Sequence, residues 1–400
     1  MSSKEMLDGN GAAAEALRLA RVQVVAAYPI VPQSPLAEIL AGFIQSGRLK
    51  ARFIRVESEQ AALSCALGAQ LAGVRAGTAT SSVALASLHE LCGVAAGLRV
   101  PLVMPVVNRS LAAPWNFWCD HQDAMAERDS GWIQLYAANC QEVLDLLLVA
   151  YRAAEEPTVQ LPVMVCLDGF FLSHTAEAVW LPDQDEVDEY LRPYQNLNLK
   201  LDPEALMFVN SICSIDEFSE MRYQGCVGFE EAQGALSRSL AVLNAAFDRS
   251  YGLVEGYRLD DAEAVIVGLG SMTGTMKYVV DNYRAQGRRV GLLRLLSYRP
   301  FPAEEVAAFL TPVEHIGVLD RSASPGNLSG PLAADVRAAL NVHAPGRRVL
   351  AFVAGLGGRS VTIGTVARAF DFLLDGSGES GRTVWLDTDT AVALTLREAV

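Results

Sequence analysis

Four hundred residues, 51% of them hydrophobic, can bury two or three separate cores, so the chain is ordered and multidomain in character. A formal net charge of −14 excludes a protein whose work is gripping nucleic acid, because no basic phosphate-binding face is supplied. Charges such as Arg99, Glu142, Asp145 and Arg152 interrupt the apolar runs before they reach membrane-spanning length, and the opening MSSKEMLDGNG lacks a basic region followed by an apolar core. A cytoplasmic small-molecule enzyme or assembly subunit is therefore expected, without a membrane span.

In chain order, short apolar runs alternate with longer amphipathic ones from Val22 to Leu167. That is the βαβ rhythm of a parallel sheet covered on both faces. Strands are predicted at Val22–Ala27, Arg52–Val56, Arg75–Thr80, Pro101–Val107 and Gln160–Leu167, and helices at Pro35–Gln45, Ser58–Ala72, Val83–Ala96 and Gln141–Ala154. Around Val179–Asp202 the pattern gives way to Pro, Asp and Glu, which reads as a surface linker, and a helix is predicted over Glu230–Phe247. From Ala264 the alternation resumes through AVIVGLG, RVGLLRL, HIGVLD, RRVLAFVAGLGG and TVWLD, each followed or separated by helical sequence. The expected fold class is α/β with two doubly wound open-sheet domains, at 1–185 and 259–400, joined by a linker and helical segment at 186–258.

The seven cysteines are widely scattered and include no CxxC pair. Neither a disulfide framework nor the clustered thiolates of a zinc or iron–sulfur site is expected, so any such cluster belongs to another chain. The loop Gly268-Leu269-Gly270-Ser271-Met272-Thr273-Gly274 follows a strand and opens a helix, but the dinucleotide fingerprint wants a glycine where Thr273 stands. A tight strand-to-helix turn is the better reading. Asp120, His121 and Asp123 in WCDHQD would need a further partner to bind metal, and no metal ligand is assigned. A nucleophile elbow of the G-x-S-x-G kind is missing, which argues against a hydrolase.

The informative residues follow four predicted strands: AAYPIVPQSP, RVESEQAAL, TATSSVAL and VVNRSLAAPWNFWCDHQDAMAERDSGWIQ. In a parallel sheet those ends line one crevice, where Glu59, Thr80, Ser81, Ser82, Arg109 and the aromatic Trp115, Phe117 and Trp118 can meet. A solvated rim of charged strand ends is the bland alternative.

These segments, together with VMVCLDGFFLSH, VIVGLGSMTGTMK and IGVLDRSASPGNLSGPL, resemble the alpha subunit of pyruvate:ferredoxin oxidoreductase and related 2-oxo acid:acceptor oxidoreductases. The resemblance spans most of the chain. It implies a thiamine-diphosphate pyrimidine-type domain followed by a transketolase C-terminal-like domain, with thiamine diphosphate shared with a beta subunit. Mg²⁺ and iron–sulfur clusters are then expected on partner chains, the clusters on gamma and delta subunits, with a 2-oxo acid and coenzyme A as substrates. Consistent with that division, no GDG-plus-Asn metal signature occurs here.

By the same resemblance Glu59 is the acid that donates to N1′ of the aminopyrimidine, with Glu57 as its rival and a helix-start glutamate as the structural alternative. Arg109 pairs with the substrate carboxylate, unless it is a surface arginine. Tyr28, Pro29, Ile30 and Ser82 lie against the cofactor. Two departures concern the substrate: Val31 stands where the family has Thr, and Val83 replaces Gln in SQGL. Both remove polar groups, so a bulkier 2-oxo acid such as phenylglyoxylate is expected ahead of pyruvate. A non-catalytic scaffold subunit is the reading from another class.

Overall fold

The computed structural model describes residues 3–195, 199–376 and 383–389, which form two compact units, Met1–Glu255 with Leu295–Pro302 and Gly256–Arg294 with Ala303–Val400. In the first unit the elements run β1 (Ser3–Leu7), α1 (Gly9–Leu19), β2 (Val24–Ala27), α2 (Ser34–Gln45), β3 (Arg52–Arg55), α3 (Glu59–Leu71), β4 (Ala76–Gly77), α4 (Ser82–Ser87), α5 (His89–Gly97) and β5 (Val103–Asn108). They continue with α6 (Gln122–Ala126), β6 (Ile133–Tyr136), α7 (Cys140–Ala154), β7 (Val163–Asp168), β8 (Glu177–Leu181), α8 (Gln184–Tyr190) and α9 (Ile215–Phe247).

The sheet order is β12-β6-β7-β5-β4-β2-β3, where β12 is Ser297–Arg299, the one antiparallel member. The strands β5 and β7 are buried at every position, which is why they read as continuous apolar runs and not as alternations. From β2 the chain crosses to β3 on one side and then to β4 on the other, so a crevice opens outside their carboxyl ends. Helix α7 supplies the covering layer through Val143, Leu144, Leu147 and Tyr151, all fully buried.

Several boundaries differ from the sequence expectation, each for a physical reason. The strand expected over Arg75–Thr80 is only Ala76–Gly77, after which the chain leaves the ladder and returns for a single bridge between Thr80 and Val106. The helix expected at Val83–Ala96 is two, meeting at Leu88. Strand β6 was hidden because Trp132–Gln134 lies in a loop-like DSGWIQ context. Residues read as the start of a linker, Val179–Leu181, pair with β1. Helix α9 begins at Ile215, where Ser214 and Glu217 form a capping box. Residues 186–255, read as linker and helix, cluster with the first unit.

The second unit is built on β9 (Val254–Tyr257), β10 (Ala264–Gly268), α10 (Met272–Ala285), β11 (Val290–Leu295), α11 (Ala303–Leu310), β13 (His315–Asp320), α12 (Pro331–His343), β14 (Val349–Val353), α13 (Ile363–Leu374) and β15 (Thr383–Trp385). Its sheet order is β15-β14-β13-β10-β11-β9, again doubly wound. The glycine loop after β10 is a tight turn: Gly270 takes a positive φ of 66°, and Thr273 Oγ1 donates to the Gly270 carbonyl at 2.7 Å. A Cβ on Gly268 would meet the Met276 side chain at 2.9 Å, so the glycine there lets α10 pack close to the sheet.

Candidate active-site half

The crevice of the first unit is organised around a carboxylate that the sequence reading weighed only as a metal ligand. Asp123, wholly buried at the start of α6, accepts four hydrogen bonds. Its Oδ2 takes the backbone N–H of Ser82 and of Arg109, each at 2.9 Å; its Oδ1 takes Asn108 Nδ2 and the Ala124 N–H, each at 2.8 Å. One side chain thereby joins the loop after β4 to the loop after β5. Burial pushes its carboxyl up to about 6, against the pull of those four donors.

Ser82 is held in the left-handed region, with φ 52°, a conformation an L-residue adopts at some cost. Two contacts fix it there: the N–H to Asp123, and its Oγ donating to the Ser110 carbonyl at 2.5 Å. Arg109 is buried, and loss of hydration lowers its pKa somewhat. Its Nε donates to the Asn116 carbonyl and its Nη1 to the Val31 carbonyl, both at 2.9 Å, while its guanidinium lies 4.7 Å from the centre of the Phe117 ring. Two nitrogens are thus anchored by backbone oxygens, and the other three donors of the fork are one on Nη1 and two on Nη2. The alternative of a surface arginine does not hold.

Around this cluster the remaining loops close in. Asn10 Nδ2 donates to the carbonyls of Pro32 and Ser173, each at 3.0 Å, tying the loop after β2 to the loop after β7. Gly169 has no room for a side chain: a Cβ would stand 2.4 Å from the Asn108 carbonyl oxygen and 2.9 Å from Pro32 Cγ. His121 does not face Asp120 and Asp123 as a metal group would; its Nε2 lies 2.7 Å from Asp168 Oδ1, both buried. Among the described residues no cluster of three His, Cys, Asp or Glu is placed to hold a metal ion.

The structure brings Val31, Ser82 and Arg109 into one hydrogen-bonded set. Tyr28 and Ile30 are half-buried on the same loop, Pro29 and the Val31 side chain are exposed, and Val83 is exposed at the start of α4. Glu59 stands beyond the bonded cluster, as the first residue of α3, with Ser58 capping the helix by accepting the Ala61 N–H. Gln60 Nε2 donates to the Ser87 carbonyl at 3.2 Å, which sets the start of α3 beside α4. Glu59 is half-buried and Glu57 exposed, and the deep burial expected of Glu59 is not reached within this chain. Its carboxylate makes no side-chain hydrogen bond among the described residues.

In the loops after β4 and β5 lie buried hydroxyls with no partner among the described residues: Thr80 Oγ1, Ser81 Oγ and Ser110 Oγ. On the loop after β5 the rings of Trp115, Phe117 and Trp118 are exposed, Phe117 against the Arg109 guanidinium and Trp118 4.8 Å from the Phe170 ring. Hydroxyls, an arginine and aromatic rings on neighbouring loops suit a flat heteroaromatic ring better than a phosphate, which would want a basic or glycine-lined cradle.

An open parallel sheet with its polar groups gathered at a topological switch point defines a ligand-binding α/β protein. Comparison narrows the class. The family description "Pyruvate flavodoxin/ferredoxin oxidoreductase, thiamine diP-bdg" matches residues 15–237, and "Pyruvate:ferredoxin oxidoreductase core domain II" matches residues 262–366. Pyruvate synthase subunit PorA of Methanocaldococcus jannaschii is 42% identical over 392 residues, covering 96% of this chain and 98% of that one. Ketoisovalerate oxidoreductase subunit VorA of Pyrococcus abyssi is 41% identical, covering 91% of each chain. The solved 2-oxoglutarate:ferredoxin oxidoreductase from Magnetococcus marinus aligns with a TM-score of 0.73 at 19% identity, over 92% of this chain and 65% of that one, a likeness of fold. The chain belongs to the pyruvate flavodoxin/ferredoxin oxidoreductase family, whose members are thiamine-diphosphate-dependent enzymes.

Proposed function

We propose that this chain is the alpha subunit of a pyruvate-type 2-oxo acid:ferredoxin oxidoreductase, contributing the pyrimidine half of a thiamine diphosphate site that a beta subunit completes. The observation that carries the reading is the Asp123-centred cluster, which presents Arg109 and Ser82 together at the switch point beside the start of α3. When bound, the coenzyme supplies the carbanion that attacks a 2-oxo carbon and releases CO₂.

This chain's residues hold and orient. Glu59, on the first turn of α3, holds a proton at its carboxyl and shares it with the ring nitrogen of an aminopyrimidine, a role that requires a partner surface to exclude water from it. Tyr28, Pro29 and Ile30 offer apolar contact to the ring, and Ser82 presents rigid backbone beside it. Arg109, with Nε and Nη1 anchored, turns Nη2 toward a substrate carboxylate. Val31 lies against Arg109, and with Val83 it bounds the space for the substrate's side chain.

The aryl preference expected from Val31 and Val83 finds no support. Relatives with names for pyruvate and for a branched 2-oxo acid lie at nearly equal identity, and an aliphatic substrate, pyruvate first, is the reading adopted. Coenzyme A as acyl acceptor, iron–sulfur clusters on gamma and delta subunits, Mg²⁺ on the beta subunit and a cytoplasmic location complete the proposal. Among the described residues no helix is long and apolar enough to cross a membrane.

The test is Glu59→Ala in the co-expressed complex. Dye reduction dependent on the 2-oxo acid should fall by at least 100-fold, the order of a lost general acid, with the subunits still assembled. Turnover near that of the parent enzyme would end the assignment. A parent complex purified without thiamine diphosphate would favour the scaffold reading.

A further inference from the structure

The stretch from Pro203 to Tyr223 contains no buried residue, although it is rich in large apolar side chains. Leu206 is 92% exposed, Phe208 94%, Ile212 102%, Ile215 93%, Phe218 54% and Met221 55%. At about 150–200 Å² for a fully exposed side chain of this size, the six present on the order of 900 Å². A monomeric protein seldom leaves more than a few hundred Å² of contiguous apolar surface in water. About 800 Å² per partner is what a stable protein–protein interface covers.

The helical part of the stretch has a defined face. Ile215, Phe218 and Met221 are three apart and form one stripe, with Arg222 over the Phe218 ring at 5.5 Å; Asp216, Glu217 and Glu220 occupy the other side. Helix α9 buries residues on the first unit from Gly228 onward, through Ala232, Ala235, Leu236, Leu240 and Leu243, and Arg99 Nη1 donates to the Gln224 carbonyl at 2.9 Å. Its first two turns bury no residue, and an isolated helix of this length is marginal in water. The capping box at Ser214 and Glu217 starts the helix but buries none of its apolar face.

Charge selects the occupant. Between Asp202 and Tyr223 stand Asp202, Glu204, Asp216, Glu217 and Glu220 against Arg222 alone. A two-fold contact between identical copies would set this acidic segment against itself, within chains already at −14. A non-identical partner with an apolar groove rimmed by Lys and Arg meets both requirements.

We infer that residues 203–227 are a docking arm for a non-identical subunit, and that the Ile215–Phe218–Met221 stripe lies in an apolar, basic-rimmed groove on the chain that completes the thiamine site. The identity of that partner rests on the function proposed above; the arm itself rests on exposure and charge.

The test uses the full complex, co-expressed from tagged alpha chain and untagged partner. Phe208→Asp with Ile215→Asp should lower co-purified partner by at least tenfold, while the thermal unfolding of the isolated full-length alpha chain stays unchanged, because neither side chain is buried in it. In the parent complex, amides of 203–227 should gain hydrogen-exchange protection over the isolated chain. Undiminished co-purification, or exchange in the arm unaltered by the partner, would overturn the inference. So would an isolated alpha chain that sediments as a dimer and becomes monomeric on the double substitution, since the occupant would then be a second copy. Thiamine diphosphate is quantified in the same parent complex: an assembled complex without it sinks the functional reading and leaves the arm standing.

Discussion

Asp123→Asn separates the electrostatic cost of the buried carboxylate from its role as a common acceptor. The carboxyl of Asp123 sits at about 6, raised chiefly by burial, whereas an unfolded aspartate titrates near ~3.9. A folded-state pKa above the unfolded one means that the folded chain holds the proton more tightly. Stability from this group is therefore highest at low pH and falls as pH climbs from about 4 to about 6; at neutral pH the ionised form costs about 3 kcal/mol, from a gap of roughly two pH units at 1.36 kcal/mol each. Asparagine cannot ionise. The difference in unfolding free energy between variant and parent should consequently move toward the variant by on the order of 1 kcal/mol between pH 5 and 7.5. Function responds in the opposite sense. The amide can keep one oxygen for two donors, but its NH₂ would face the two N–H groups left over, so the loops carrying Ser82 and Arg109 lose their common acceptor. A displacement of about 1 Å at such a site lowers kcat/KM by about 100-fold. Urea unfolding of the full chain across that pH range, with steady-state kinetics of the assembled enzyme, measures both. A pH-independent stability difference would refute the electrostatic account, and parental kcat/KM would refute the positioning account.

Arg109→Lys cannot satisfy the carbonyls of both Val31 and Asn116 and still offer a two-pronged edge. The KM for the 2-oxo acid should rise by about 10- to 100-fold, as for loss of one charge-assisted hydrogen bond, and an unchanged KM in steady-state assays would make the guanidinium purely structural. Gly169→Ala places a methyl 2.4 Å from the Asn108 carbonyl oxygen. The backbone of β7 must then move, at a cost of about 1–3 kcal/mol, visible as a lowered Tm; an unaltered Tm would show that the loop yields freely.

The alternation of apolar runs made the two open sheets readable, because β5, β7 and β10 are buried along their whole length and leave no ambiguity of face. Short elements were read too long. Strand β4 is two residues long within the stretch expected as a strand, and Ser82 beyond it is held by Asp123, 41 residues away, which no local pattern announces. The positions of Val31, Ser82 and Arg109 were readable as strand ends, but not the acceptor that joins them. A signal was present: Asp123 precedes Ala124 and Met125 in a stretch that dives into the core, and a carboxylate so placed must collect several donors. The exposed arm was obscured for the opposite reason, since its apolar residues resemble core positions and only the structure shows that nothing among the described residues covers them.

The two halves of the candidate site differ in what sets them. Arg109 and Ser82 are held by bonds wholly internal to the first unit, two of them converging on the Asp123 carboxylate, so their geometry is set within this chain. Glu59 is different. Its helix is capped by Ser58, which fixes the backbone, but no side chain of the described residues holds its carboxylate, and it is only partly buried. On the proposed function, protein from outside this chain would exclude water from it, so the binding groups would be built in and the acid completed by assembly. An alpha chain alone should then bind a 2-oxo acid far better than it protonates a coenzyme ring.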